Sequence, residues 1–430
     1  MRSPILDYLD TVIEQTAHVD SGALADYIPE LAAADPTRVA VALCTVNGTV
    51  YASGDTDHHF SIQSMSKPFA YALAIEDYGL ESVLDHVGVE PSGDTFNELS
   101  LDPETGKPRN PMINAGAITT HALLKTEHGS SVERMLNLFS KLSDRRIEID
   151  ESVATSELGT GDRNLGLAHL LRATGALTQE PRTAVEGYIR QCAASVTVRD
   201  LALMAATLAN SGVQPHTQER VFRRDTTRQV LSVMASCGMY DAAGDWLSTV
   251  GIPAKSGVAG GIIGVLPGQI GVAAFSPRLD MHGNSARGVD MMQKLSQDLG
   301  LHLMEAGRPA RSSLRETRTA TVDGQKATIY VLQGDLVLSS IESLVSEIIN
   351  SAPGTDLVIF DMSRVDDVLP VARRTSSDMA TKLINRGHRI VLVDPEATVI
   401  DFRDSQGRTV ERWSRQQLEN RTDDARRPGQ

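Results

Sequence analysis

The chain contains 430 residues, with 41 basic and 55 acidic side chains, which gives a formal net charge of −14 at pH 7. Because nucleic acids are bound through clustered Lys and Arg, this balance argues against a nucleic-acid partner. The sequence has no apolar run near the roughly 18 residues that a membrane helix needs, and its start lacks the apolar core of a secretory signal. Three widely spaced cysteines, Cys44, Cys192 and Cys237, fit a reducing compartment. We therefore expect no membrane partner, a cytoplasmic location and, at this length, two domains.

The first predicted elements are a β-hairpin and a helix. Strand-forming runs at 38–45 and 48–53 meet at Asn47-Gly48, a dipeptide typical of type I′ hairpin turns. An apolar helical run follows, and because proline is tolerated mainly in the first turn of a helix, Pro68 predicts a helix start close to Ser64. Gly79 is suited to end this helix.

The pattern from about residue 115 to 247 is mainly helical, with apolar positions three and four apart in 131–142 and 197–209. Three strand-like runs follow, with a turn at Pro267-Gly268 between the second and the third; they cover 252–256, 261–265 and 269–275. Strands, a helical middle and further strands predict an α+β fold, a mixed antiparallel sheet with a helical subdomain.

A polar stretch at 307–313 has no apolar periodicity, which is typical of a linker. Beyond it, strand-like and helix-like runs alternate and predict a small α/β domain; they cover 327–332, 336–349, 357–361, 372–385 and 389–393. From about Asp401 the chain is mostly polar, and we expect a disordered tip. The expected division is a first domain (1–307), a linker (308–318), an α/β domain (319–410) and a polar tail (411–430).

Ser64-Met65-Ser66-Lys67 is an S-x-x-K motif. Residues three apart share a helix face, so the hydroxyl of Ser64 and the amine of Lys67 can meet. Serine is a weak nucleophile unless a base takes its proton, and lysine can be that base if burial or a nearby cation keeps it partly neutral. The helix start adds N–H groups that can stabilise an oxyanion. Alone the motif is weak evidence, since Lys67 could simply be a solvated helix residue.

A second motif, Lys255-Ser256-Gly257, lies at the end of a strand-like run. S-x-x-K combined with K-T-G is typical of serine β-lactamases and penicillin-binding proteins. Gly257 and Gly260-Gly261 would let the backbone approach a substrate closely. The two motifs together favour a serine-type hydrolase.

Six blocks of the sequence resemble those of the serine-dependent glutaminases, which share the fold of the β-lactamases and penicillin-binding proteins. The blocks cover 61–69, 90–97, 110–117, 161–164, 237–241 and 254–261. They follow the family's order and spacing over roughly residues 20 to 300. The resemblance implies that the first domain hydrolyses the side-chain amide of L-glutamine to L-glutamate and ammonia without a cofactor. We also expect a homo-oligomer, a dimer or a tetramer.

The resemblance implies a role for each residue of the site. Ser64 would attack the amide carbon, Lys67 would accept its proton, and Tyr240 would hand a proton to the leaving ammonia. The N–H groups of Ser64 and Val258 would form the oxyanion hole, and Lys255 completes the catalytic group. The remaining residues would bind the amino-acid end of the substrate, line the pocket or close it: Asn114, Glu157, Asn164, Tyr188, Gln63 and Tyr27.

Several alternatives stay open at this point. Glu157 also fits an ordinary helix-start carboxylate, Asn114 a turn or cap residue, and Tyr188 plain core packing. The whole protein could instead be a penicillin-recognising serine hydrolase, which uses the same Ser–Lys pair, or a non-catalytic amino-acid-binding protein. The sequence contains no phosphate-binding loop and no H-E-x-x-H motif, so we expect neither a cofactor nor a metal.

Residues 319–410 resemble the STAS family of small α/β modules, in the stretches 329–335, 357–363 and 387–393. Members of that family often carry a phosphorylatable Ser or Thr at a helix start soon after the second strand. The corresponding stretch, 365–372, has no hydroxyl residue. We therefore expect a binding or regulatory role rather than a phosphorylation switch, with stabilisation of an oligomer as the alternative.

Overall fold

The structure is a computed structural model that describes residues 2–92, 101–125, 129–305, 313–351, 353–394 and 410–422. By its internal contacts the chain divides into two units. The larger unit comprises Leu9–Ser296 and Leu301–Met304, and the smaller one comprises Met1–Tyr8, Gln297–Gly300 and Glu305–Gln430. No helix in the described ranges has the length and apolar character to cross a bilayer.

Up to residue 305 the chain forms a mixed α+β structure, as the sequence predicts. The strands are β1 (Ala40–Thr45), β2 (Val50–Gly54), β3 (Phe60–Ser61), β4 (Ser195–Val196), β5 (Ala254–Gly257), β6 (Gly261–Leu266) and β7 (Ile270–Phe275). The helices are α1 (Pro4–Gln15), α2 (Pro29–Ala32), α3 (Lys67–Tyr78), α4 (Leu80–Leu84), α5 (Asn114–Ala122), α6 (Ser131–Ser143), α7 (Glu151–Gly159), α8 (Asp162–Ala173), α9 (Pro181–Cys192), α10 (Val198–Ala209), α11 (Arg224–Cys237), α12 (Ala243–Thr249) and α13 (Ala286–Leu299).

The main sheet of the larger unit has five antiparallel strands in the order β2-β1-β7-β6-β5. Every residue of β1, β5, β6 and β7 is buried. Helix α10 covers the centre of the sheet so closely that a Cβ at Gly271 would overlap the backbone of Ala205 and Ala206. A sheet packed in this way gives the edge strand β5 a fixed position, and the site is built on that strand.

The predicted hairpin of β1 and β2 is confirmed, but its turn is not type I′. A type I′ turn needs positive φ at two central residues, and here Gly48 has φ 91° whereas Asn47 does not adopt a positive φ. The Thr45 N–H donates to the Thr49 carbonyl at 3.1 Å, and the Gly48 N–H donates to the Thr45 carbonyl at 2.9 Å. The connection therefore has three residues, with Gly48 in the left-handed position of a bulge.

Helix α3 begins at Lys67, directly after a 3₁₀ turn over Gln63–Ser66. Pro68 lies in its first turn, and Gly79, at φ 81°, ends it, so both predicted helix boundaries are confirmed. The short strands β3 and β4 pair antiparallel, with Ser61 opposite Ser195. This pairing fixes the chain just before the 3₁₀ turn against the segment between α9 and α10.

The smaller unit contains a second five-stranded sheet, in the order β12-β11-β10-β9-β8. Its outer pair β8–β9 is antiparallel, and the other neighbours are parallel. The elements are β8 (Leu314–Val322), β9 (Gln325–Leu336), α14 (Leu338–Asn350), β10 (Leu357–Val368), α15 (Pro370–Ile384), β11 (Arg389–Val393), β12 (Glu411–Trp413) and α16 (Arg415–Arg421). The predicted alternation of strands and helices from β9 to β11 is confirmed.

Two expectations for this unit were wrong. Residues 314–318 belong to β8 rather than to a linker, and Glu411–Trp413 and Arg415–Arg421 form a strand and a helix rather than a polar tail. Strand β8 is an edge strand with a largely exposed, charged surface, a composition that protects sheet edges and resembles a linker in sequence. The rest of the expected linker up to 312, the tip 423–430 and residues 93–97 of the second glutaminase-like block lie outside the described residues.

Candidate active site

The turn that carries Ser64 is buried and has a strained backbone. Gln63, the residue before it, has φ 51°, and a non-glycine residue in this left-handed region costs of order 1–3 kcal/mol. On one side the Ile62 N–H donates to the Ala194 carbonyl at 2.8 Å. On the other side β5 approaches so closely that a Cβ at Gly257 would lie 3.1 Å from the Ile62 oxygen. The surrounding structure therefore holds Ser64, which is buried, in a conformation that the local sequence alone would not favour.

Lys67 is completely buried, with 0% of its surface exposed. Its Nζ donates to the Met112 carbonyl at 3.0 Å and to Asn114 Oδ1 at 2.8 Å, and both acceptors are neutral. Burial lowers the pKa of Lys67 to about 8, because the ammonium form loses its hydration. Near physiological pH a minor fraction of this side chain is therefore a neutral amine, and this fraction grows as the pH rises towards 8.

Lys255, a residue of β5, packs against the ring of Tyr240. Lys255 Nζ lies 4.0 Å from the centroid of the Tyr240 ring and donates to the Ser256 carbonyl at 2.8 Å. Burial and then the positive charge of Lys67 lower the pKa of Lys255 well below its usual value. The Tyr240 hydroxyl donates to the Ser256 carbonyl at 3.2 Å. Burial raises the pKa of Tyr240 to about 12, although hydrogen bonds with Ser64 and Ser256 oppose the rise. Tyr240 therefore keeps its proton while its hydroxyl contacts Ser64.

Glu157 is a buried acceptor at the other end of the site. Its Oε1 accepts hydrogen bonds from Gln63 Nε2 at 2.6 Å and from the Tyr27 hydroxyl at 3.0 Å. Burial raises the pKa of Glu157, and these two hydrogen bonds act against the rise. The helix that carries it, α7, begins at Glu151, so Glu157 is not a helix-start carboxylate. Tyr27 is 45% exposed and therefore connects Glu157 to the surface.

Asn114 connects Lys67 with the polar side chains of Asn164 and Tyr188. Besides the bond from Lys67, its Oδ1 accepts from the Tyr188 hydroxyl at 3.2 Å, and its Nδ2 donates to Asn164 Oδ1 at 3.1 Å. Asn114 lies in the first turn of α5, yet its side chain does not cap that helix. Tyr188 is buried but uses its hydroxyl in this network, so it is more than a packing residue.

The structure thus places the predicted side chains in three contact groups. Glu157 is bonded to Gln63 and Tyr27, Asn114 is bonded to Lys67, Asn164 and Tyr188, and Tyr240 contacts Ser64 and Lys255. The charge of Lys67 acts on Lys255, which relates the second group to the third. Val258 is buried and directly follows Gly257, the β5 residue that approaches the nucleophile turn. The described residues contain no cluster of three or more potential metal ligands.

Sequence reasoning missed two participants. The Met112 carbonyl is a backbone group and has no sequence signal. Cys192 is a buried thiol that interacts with Tyr188 and Ser66. Its spacing of four residues from Tyr188 places both on one face of α9 and could have identified it.

Comparison with known proteins identifies the class of this fold. The structure resembles a crystal structure of Mglu with a TM-score of 0.70 and 44% identity, over 93% of this chain and 100% of the other. Mglu has also been crystallised in its glutamate form. A probable glutaminase, ybaS, matches with a TM-score of 0.69 and 38% identity, over 71% of this chain and 100% of that one. The fold is therefore that of the solved glutaminases.

The sequence comparisons give the family. The glutaminase family model matches residues 22–304. A glutaminase of Corynebacterium glutamicum is 48% identical over 408 residues, which are 94% of this chain and 97% of the relative. A glutaminase of Trichormus variabilis is 47% identical over 304 residues, 70% of this chain and 91% of the relative. The chain belongs to the glutaminase family, and its activity is the hydrolysis of glutamine to glutamate.

Proposed function

We propose that the larger unit hydrolyses L-glutamine through a glutamyl ester on Ser64, with Lys67 as the general base. The observation that carries this proposal is the fully buried amine of Lys67, which starts the helix that follows Ser64 and has a pKa of about 8. A base with a pKa close to the working pH is both partly deprotonated and strong enough to accept a proton. The proposal makes this enzyme a serine-dependent amidohydrolase.

In the first step Ser64 Oγ forms a bond to the side-chain carbonyl carbon of glutamine and its proton moves to Lys67. The oxyanion is stabilised by the N–H groups of Ser64 and Val258. The bond from carbon to nitrogen then breaks, and Tyr240 donates a proton to the leaving ammonia, its phenolate recovering a proton from protonated Lys67. Lys67 then takes a proton from water, whose oxygen forms a bond to the ester carbon. The bond from that carbon to Ser64 Oγ breaks, Oγ recovers a proton from Lys67, and glutamate is released.

Lys255 supports this chemistry through its position against the ring of Tyr240. Burial and the charge of Lys67 lower the pKa of Lys255 well below its usual value, so of the two buried lysines Lys255 is the one that is a neutral amine. The two buried lysines also repel each other when both are protonated, which favours a neutral amine at one of them. We therefore propose that Lys255 holds the ring of Tyr240 in place as a neutral group, rather than acting as a cation or as a second base.

The amino-acid end of glutamine fits the remaining polar groups. Glu157 provides a negative charge for the α-ammonium group, and Gln63 and Tyr27 hold that carboxylate in place. Asn114, Asn164 and Tyr188 provide amide and hydroxyl groups for the α-carboxylate. Because glutamine lacking its α-amine would leave the buried charge of Glu157 without an ion-pair partner, the site should reject that analogue by about 10⁴-fold or more.

Ser64→Ala tests the proposal. The variant should fold normally and release no ammonia from glutamine above background, whereas Ser232→Ala, an exposed serine on α11, should keep wild-type activity. Ammonia release can be measured directly, with circular dichroism and melting temperature as controls for folding. A Ser64→Ala enzyme that keeps wild-type turnover would refute the nucleophile assignment.

For the smaller unit we propose a STAS-like binding or regulatory domain built on the sheet of β8 to β12, attached to the catalytic domain. One antiparallel edge strand followed by parallel strands with intervening helices supports this assignment. The Trichormus relative matches over 304 residues that make up 91% of its own length, so catalysis should not require this domain. A chain ending at Met304 should therefore keep glutaminase activity; a folded but inactive truncation would contradict this.

A further inference from the structure

A row of four polar side chains leads away from the nucleophile turn into the helical part of the larger unit. Gln191 Nε2 donates to Ser66 Oγ at 2.9 Å, Gln191 Oε1 lies 2.7 Å from His121 Nδ1, and His121 Nε2 lies 2.9 Å from Ser131 Oγ. Ser66, Gln191 and His121 are at most 1% exposed, and Ser131 is half-buried at the start of α6. We call these four residues the buried polar chain.

The hydrogen bonds of the buried polar chain are mutually consistent. The amide oxygen of Gln191 can only accept, so His121 Nδ1 carries the hydrogen, and His121 Nε2 then accepts from the Ser131 hydroxyl. This assignment requires a neutral imidazole, and burial lowers the pKa of His121 to about 4. Every link therefore has both a donor and an acceptor, as a buried polar network needs to be stable.

The packing around His121 shows that this arrangement has a dedicated space. Gly187 lies one turn before Gln191 on α9, and a Cβ at this position would overlap His121 Nε2 and Cδ2. The imidazole can therefore reach between α5 and α9 only because residue 187 has no side chain. The buried polar chain therefore connects the nucleophile turn to α9, α5 and α6.

Ser66 is the point at which the buried polar chain holds the turn. It lies two residues after Ser64, and on a 3₁₀ turn of three residues per turn such side chains point to different sides. Ser64 contacts Tyr240, whereas Ser66 contacts Gln191 and Cys192. The bond from Gln191 thus restrains the turn without occupying the substrate side.

We propose that Gln191 and His121 are positioning residues for amide hydrolysis, which act through Ser66 to keep Ser64 aligned with Lys67 and Tyr240. The inference rests on the proposed role of Ser64 as nucleophile. A strained turn stays in place only where its surroundings over-determine it, and Gln63 within this turn is at φ 51°. Displacement of a reacting group by about 1 Å can cost about a hundredfold in rate.

The experiment compares Gln191→Leu with Val185→Ala. Val185 is a buried residue on the same helix that does not belong to the buried polar chain. Gln191→Leu should lower kcat by about tenfold to a hundredfold and change KM for glutamine by less than about twofold. Val185→Ala should lower the melting temperature and leave kcat unchanged at temperatures where the enzyme is folded.

Two further variants separate positioning from stability. In Gln191→Leu the Ser66 hydroxyl no longer accepts a hydrogen bond from residue 191. Adding Ser66→Ala removes this hydroxyl, so the melting temperature should recover in part while kcat stays low. His121→Asn keeps an N–H donor for Gln191 and should retain more kcat than His121→Leu.

A Gln191→Leu enzyme with wild-type kcat, or kcat values that simply follow melting temperature across all variants, would overturn the inference. An inactive Ser64→Ala together with an active Gln191→Leu would overturn only this inference. An active Ser64→Ala would instead overturn the proposed function.

Discussion

The buried amine of Lys67 should destabilise the folded protein in a way that depends on pH. Burial lowers its pKa from 10.5 to about 8. Since one pKa unit equals about 1.4 kcal/mol, the difference of about 2.5 (10.5 − 8) corresponds to about 3 kcal/mol. Below pH 8 both the folded and the unfolded chain carry the proton, and the full cost is present. Between pH 8 and 10.5 only the unfolded chain binds it, so the stability of the wild type rises through this window.

Lys67→Met keeps the length of the side chain and removes the charge. The variant should therefore gain stability relative to the wild type at pH 7.5, and this relative gain should be about 2 kcal/mol smaller at pH 10. The hydrogen bonds that Nζ makes to Met112 and Asn114 are lost at every pH, so they change the absolute difference more than its pH dependence. Relief of the repulsion on Lys255 acts in the same direction.

Urea unfolding of both proteins at pH 7.5, 8.5 and 10, followed by circular dichroism, measures this difference. Lys141→Met, at an exposed position on α6, serves as the control and should show no comparable trend. A Lys67→Met difference that stays constant from pH 7.5 to 10 would refute the reasoning, because it would mean that folding does not alter the proton affinity of this amine. The variant should also be catalytically inactive.

Four further predictions follow from the site. The kcat/KM for glutamine should rise with pH through about 8 as Lys67 loses its proton, and a pH-independent profile from pH 6 to 9 would contradict its role. Glu157→Gln should raise KM by about tenfold to a hundredfold, since an ion pair with the α-ammonium is lost. The variant should also prefer glutamine less strongly over the analogue that lacks the α-amine. An unchanged preference would contradict the role of Glu157 as the partner of the α-ammonium. Tyr27→Phe removes one hydrogen bond and should raise KM by about fivefold with little change in kcat; an equal loss of kcat would indicate a different role. Gly238→Ala places a Cβ against the backbone of β5 and should lower kcat and melting temperature, whereas Gly244→Ala, with open space around it, should do neither.

Local sequence signals predicted the parts of the fold that local chemistry determines. Pro68 and Gly79 gave both ends of α3, because proline fits a first helical turn and glycine adopts positive φ at a helix end. Asn47-Gly48 gave the hairpin but not its turn type, since pairing of β1 with both β2 and β7 fixes the register. Strand β8 was missed because an exposed, charged edge strand has the composition of a linker.

The candidate site shows the same limit. The motifs and the family resemblance named the candidate side chains, and their roles stay predictions. The contacts that adjust their chemistry come from distant parts of the chain and have no local pattern, such as the Met112 carbonyl on Lys67 and the Tyr240 ring under Lys255. The positive φ of Gln63 could not be predicted either, because its cost is offset by the hydrogen bond from Ile62 to the Ala194 carbonyl and by the close approach of β5. The homo-oligomeric state and the cytoplasmic location stay predictions.

The most direct test of the mechanism is to trap the intermediate. The wild-type enzyme, mixed with glutamine and quenched in acid within a turnover, should carry a glutamyl group as an ester on Ser64, located by mass spectrometry of the peptide that contains residues 61–69. Ser64→Ala, treated in the same way, should carry none. A wild-type enzyme that turns over glutamine without any covalent adduct at quench times across the turnover, or an adduct on another side chain, would contradict the account.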